Sequence, residues 1–142
     1  MVVATLADLT GVRGFEVLEH LEAEAEVPVL AGIQFQGDVA VIPVAELPGV
    51  WYGGFVAVGP AGVEVVRGEN GGHTHLLVGD AGAVGWCPEV SDPEGLAVGV
   101  ADVATEAFLI HAEHGGMGLA AGRYVIRRQR EQADQERRLV AD

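Results

Sequence analysis

Four of the five histidines fall in two short clusters, His73-Thr74-His75 and His111-Ala112-Glu113-His114. Imidazole is the commonest side-chain ligand for transition metals, and pairs at this spacing are what a small site draws on. Three or four imidazoles with Glu69 or Glu113 as a carboxylate suit Zn, Fe, Mn, Ni or Cu. The expected metal ligands are His73, His75, His111, His114 and Glu69. An open coordination position would act as a Lewis acid or activate a bound water, with Glu113 as catalytic base or as a further ligand. The same residues also admit a structural role, since histidines beside tight turns often cap backbone groups.

Other chemistries are thinly supplied. The chain has no lysine, which removes phosphate-loop and Schiff-base lysines. Its one serine, Ser91, sits in the turn-like Val90-Ser91-Asp92-Pro93 and not in a nucleophile elbow. Cys87, the only cysteine, reads as a buried inert thiol rather than a nucleophile, and it permits no intramolecular disulfide. Gly116-Met117-Gly118-Leu119-Ala120-Ala121 fits the dinucleotide fingerprint formally, but strand-like sequence follows it where a helix is required.

The elements that must position the histidines follow from periodicity. Between Gly14 and Glu26, Phe15, Leu18, Leu21 and Ala25 recur at helical spacing among glutamates, which predicts an amphipathic helix closed by Pro28. Glycine and proline then punctuate the chain at the spacing of an all-β domain. Strands are expected at 36–44, 54–59, 62–67, 73–79, 96–103, 105–112 and 123–130. The turn Glu69-Asn70-Gly71-Gly72 predicts a hairpin that delivers His73 and His75 on one strand face, beside Glu69. His111 is expected to share a face with Leu109 before the chain turns through Glu113-His114-Gly115-Gly116.

The 142 residues are 49% hydrophobic with a mean hydropathy of +0.29, enough for one cored domain and too apolar for a disordered chain. No apolar run approaches the roughly 18 residues of a membrane span, and the N-terminus lacks the basic start of a secretory signal. A cytoplasmic location with no membrane partner is expected. The net charge of -13 argues against a nucleic-acid partner. Residues 1–122 carry two arginines against 17 acidic residues, whereas residues 123–142 carry six against four. A basic tail on an acidic body favours self-association. Arg128 and Arg130 share a strand face and are the expected grip for a small anionic ligand, although pairing with acidic residues of the same chain competes.

The stretches Gln36-Gly37-Asp38-Val39, Gly68-Glu69-Asn70-Gly71-Gly72-His73-Thr74-His75, His111-Ala112-Glu113-His114 and Gly122-Arg123-Tyr124 through Gln129-Arg130-Glu131 occur in that order, closing with Val140-Ala141-Asp142. Over residues 34–142 they resemble a family of small uncharacterised bacterial proteins. The resemblance implies that His73, His75, His111, Glu113, His114, Gln129, Arg130 and Glu131 are signature positions. Gln132 stands where that pattern has an aromatic residue. The pattern brings no established activity with it. A looser likeness to cupins rests on the order His73, His75, Asp80, without the second cupin motif, and is an analogy of architecture.

The expected fold is mainly β, an antiparallel β-barrel or sandwich with one N-terminal amphipathic helix: a helical segment over 1–33, a β-domain over 34–130 and a polar arm over 131–142. The expected function is a metal-binding β-domain with a histidine-cluster site. An enzyme of this kind would carry out metal-assisted hydrolysis or a cupin-like oxygenase or isomerase reaction. The alternative is a structural or assembly subunit of a shell, phage particle or other homo-oligomer, with structural histidines.

Overall fold

Alternation with period two writes the two longest strands. Along 97–111, Ala101, Val103, Ala107 and Leu109 face one apolar cluster, while Val100, Phe108 and Ile110 face away from it. The computed structural model describes residues 4–5, 26–67 and 73–129. Its strands are β1 (Val29–Leu30), β2 (Gln34–Gln36), β3 (Val39–Pro43), β4 (Trp51–Tyr52), β5 (Val56–Ala57), β6 (Val63–Val66), β7 (His75–Val78), β8 (Val84–Cys87), β9 (Val90–Ser91), β10 (Ala97–His111) and β11 (Gly115–Arg128).

β10 and β11 form an antiparallel hairpin from Ala97↔Arg127 to His111↔Gly115. Between Val103↔Gly122 and Glu106↔Ala120 one extra residue of β10 enters, a bulge that bends the ribbon. The outer edge of β10 pairs first with β8 and then with β7, and β7 continues to β6. The outer edge of β11 pairs with β3 and, near its start, with β1 in the one parallel contact. β2 closes on β3, and β4 and β9 form a separate small ladder.

The sheet curls tightly. β3 lies against the end of β11 at 124–128, yet the Gln36 side chain reaches the carbonyls of Leu109 and Gly115 at the opposite end of the hairpin. A straight strand as long as β11 would hold those ends about 45 Å apart. Curling brings Val39, Val41, Tyr124 and Ile126 from one half against Leu77, Leu109, Met117 and Leu119 from the other in a single inner core. On the outer surface Val27 and Val29 cover Phe108 and Ile110, and Val44, Leu47 and Val50 cover Val100 and Val125.

The antiparallel β architecture matches expectation, with corrections to its closure and its strand bounds. Among the described residues the sheet does not close into a barrel: β2 and β6 end the ladder path, and the gap beside β2 is bridged by the side-chain amides of Gln34 and Gln36. The segments expected at 96–103 and 105–112 are one strand. The N-terminal helix is not shown. Its segment, apart from Glu26, lies outside the described residues, as do Glu69, Arg130 and the 131–142 arm. Glu26 instead forms an antiparallel bridge with Thr5.

Candidate functional site

Three chain reversals meet at one end of the curled sheet: the Gly37-Asp38 turn between β2 and β3, the entry to β7, and the 112–114 turn between β10 and β11. Gly37 adopts φ +59, a left-handed conformation that glycine takes without strain. With His114 in its present rotamer a Cβ there would also lie 2.6 Å from the His114 ring. Gln129 holds the same turn, donating from Nε2 to the Gly37 carbonyl at 2.6 Å and from its backbone N–H to the Asp38 carbonyl at 2.9 Å.

His111 sits at the centre. Its ring lies 4.3 Å from that of His75 and 4.7 Å from that of His114, with His73 edge-on at 6.0 Å. Its Nδ1 accepts the backbone N–H groups of Glu113 (3.1 Å) and His114 (3.2 Å), so the proton of the neutral ring is on Nε2. Nε2 then donates to the His73 carbonyl at 3.1 Å. Both nitrogens therefore serve the backbone, tying the β10–β11 turn to the entry of β7. Burial lowers the His111 pKa, as does the neighbouring His114, while the His73 carbonyl opposes them.

His75 is arranged the other way. Gln36 Nε2 donates to the Leu109 carbonyl at 2.9 Å and the Gly115 carbonyl at 3.1 Å, which fixes the amide with Oε1 facing His75 Nδ1 at 2.8 Å. An amide oxygen only accepts, so Nδ1 carries the proton and the neutral ring keeps its lone pair on Nε2. That nitrogen lies 3.5 Å from Asp38 Oδ1, the imidazole side chain 3% exposed and the carboxylate 42%. Burial pushes the His75 pKa down to about 4, helped by His111 and opposed by Asp38.

His73 and Glu113 flank this core in an open position, His73 Nε2 and Glu113 Oε1 being 3.7 Å apart. The fold thus gathers His73, His75, His111, His114 and Glu113, although His73 precedes β7 and does not share a strand face with His75 as expected. Yet among the described residues no three His, Cys, Asp or Glu side chains converge as a ready-made metal site. Arg128 is half-buried at the end of β11, opposite Val39. Its neighbour Arg127 pairs with Asp92 at 2.7 Å. Asp80 lies past the far end of β7, so the cupin-like order does not place it with His75. Gly116–Ala121 is internal to β11, which removes the dinucleotide reading.

Gln36 and Asp38 were missed as site residues. The signal was present, since Gln36-Gly37-Asp38-Val39 and Gln129 belong to the quoted pattern, but a buried glutamine has no chemistry that spacing alone reveals. No curated protein and no solved structure matches the chain. One family model does, over residues 35–129, a span that holds Gln36, Asp38, all four clustered histidines and Gln129. The chain therefore belongs to the family described as domain of unknown function DUF8820.

Proposed function

We propose that this domain binds a divalent transition metal (Zn, Fe, Mn, Ni or Cu) at its histidine cluster. The observation that carries the reading is the His75–Asp38 pair: a buried imidazole lone pair facing a carboxylate oxygen at 3.5 Å, two acceptors with no donor between them. Such a pair is relieved by a proton or a metal cation, and the depressed His75 pKa favours the metal near neutral pH. In metal sites a ligating histidine usually donates its other ring N–H to a fixed oxygen, as His75 does to Gln36. In the catalytic form of this reading, a bound metal would supply Lewis acidity, Glu113 would serve as base, and Arg128 or Arg130 would orient a small anionic substrate.

The test is elemental analysis of untagged protein purified without chelator, beside a His75→Ala variant. Near-stoichiometric metal that the variant loses is the expected result. A wild-type protein that stays metal-free after reconstitution would end the proposal. A second reading, an assembly subunit with self-association, is favoured by the outward apolar residues Phe35 (65% exposed) and Trp51 (77% exposed). Light scattering across a concentration series checks it, and a monomer at every concentration counts against it.

A further inference from the structure

We infer that the metal is held by His75 Nε2, the Asp38 carboxylate and His114, that His111 is not a ligand, and that Gln36 is the positioning residue that aims His75. This rests on the metal-binding reading above and changes its ligand set from a histidine quartet to two imidazoles and one carboxylate.

The hydrogen bonds sort the four histidines. Coordination through either nitrogen of His111 would break the bonds to Glu113 and His114 or the bond to the His73 carbonyl, and with them the tie between two turns. His75 gives up no hydrogen bond shown among the described residues on coordination, because its Nε2 faces the Asp38 oxygen there. Asp38 directly follows Gly37, and the Cδ2 and Nε2 atoms of His114, from the 112–114 turn, lie over Gly37, so the second imidazole sits against the turn that carries the carboxylate. The His114 side chain is exposed and can turn toward Asp38 by changing rotamer. His73 and Glu113 face each other instead, with His73 edge-on to the His111 ring at 6.0 Å.

Two imidazoles and a carboxylate leave coordination positions open, a set that suits Zn(II) or Fe(II) and admits water or a small anion as a further ligand. Gln36 matters because its amide cannot flip. Its NH2 group is claimed by two main-chain carbonyls, so only the oxygen can face His75, and the free lone pair must be on Nε2.

The experiment is titration of metal-stripped protein with Co(II), read by its visible absorption bands and by competition with Zn(II). Asp38→Asn and His114→Ala alter accessible side chains, and far-UV circular dichroism verifies their fold. Each is expected to weaken Co(II) binding by more than the roughly 10–100-fold that loss of an outer-shell partner costs. Gln36→Met is expected to fall within that range. In the same variant the nitrogen NMR spectrum of metal-free protein should show His75 losing its single Nδ1-protonated tautomer, a change that a purely structural role for Gln36 would not produce. His73→Ala and Glu113→Gln should leave Co(II) affinity and bands unchanged. Loss of binding in those two variants with retention in Asp38→Asn would overturn this ligand set while leaving metal binding intact. A wild-type protein that binds neither ion would remove the metal reading itself.

Discussion

The two ends of the β10–β11 hairpin each carry a polar cluster, and the clusters are built on opposite principles. At the open end, the Asp92 carboxylate accepts the backbone N–H groups of Glu94 (3.0 Å), Leu96 (3.1 Å) and Ala97 (2.9 Å), and the Arg127 guanidinium at 2.7 Å. Burial alone would raise the Asp92 pKa, but Arg127 and the three N–H groups outweigh it and hold the carboxyl below its ordinary value. At the turn end, His111 and Gln36 are saturated in the same way, whereas His75 Nε2 and Asp38 set acceptor against acceptor. A cluster in which each acceptor meets a donor serves the fold. One that leaves two acceptors facing each other has room for a positive charge.

The comparison can be broken first at the saturated end. Asp92→Ala would leave the largely buried Arg127 guanidinium paired with Glu94 at 3.1 Å and leave three main-chain N–H groups unpartnered, so a loss of about 3–4 kcal/mol is expected. Asp38→Asn, at an accessible carboxylate, should cost less than about 1 kcal/mol in metal-free protein. Urea denaturation of the two variants measures the contrast. Equal losses would show that both ends are structural.

Acid should separate the two ends in order. His75 has a folded pKa of about 4 against an ordinary value near 6.5, so between those values the unfolded chain binds a proton that the folded chain does not. Stability is then full above about pH 6.5 and falls as pH drops toward 4, by on the order of 3 kcal/mol. His111, also depressed, acts with the same sign. The depressed Asp92 carboxyl stabilises above its ordinary value and gives way only at still lower pH. Thermal melts of metal-free protein from pH 7 to 4 should show this slope, flattened in His75→Gln. Stability that rises toward pH 5 would mean that His75 is an imidazolium, donating to Gln36 and Asp38 together.

Strand content was legible where apolar alternation is dense, as in Ala107-Phe108-Leu109-Ile110, and where a hairpin was expected, as in the pairing of β6 with β7. It was lost where composition answers to backbone proximity. The first half of β11 is rich in glycine and alanine and falls before the strand expected at 123–130. A Cβ at Gly118 would lie 2.5 Å from the Pro28 carbonyl, so its glycine records the close approach of β1. β8 hid because Val84-Gly85-Trp86-Cys87 is short and carries its own glycine. The histidine clusters were legible as a candidate site, but their different hydrogen bonds were not. Which nitrogen is free depends on Gln36, a residue 39 positions from His75 that meets it only because the sheet curls.

The smallest expected effect sharpens the question of how firmly the turn end is held. Gly37→Ala forces an L-residue into φ +59, which costs about 1 kcal/mol, and places a methyl group where the His114 ring now lies. The nearest atoms belong to the far end of an exposed side chain, so the ring can move aside without disturbing the main chain. The expected outcome is a loss of about 1 kcal/mol, with shifted His114 ring resonances in the NMR spectrum and His75 and His111 resonances almost unchanged. A loss above about 3 kcal/mol would instead mean that His114 is locked in place with His111. In that case it could not turn toward Asp38, and the two-imidazole, one-carboxylate set would lose its third member.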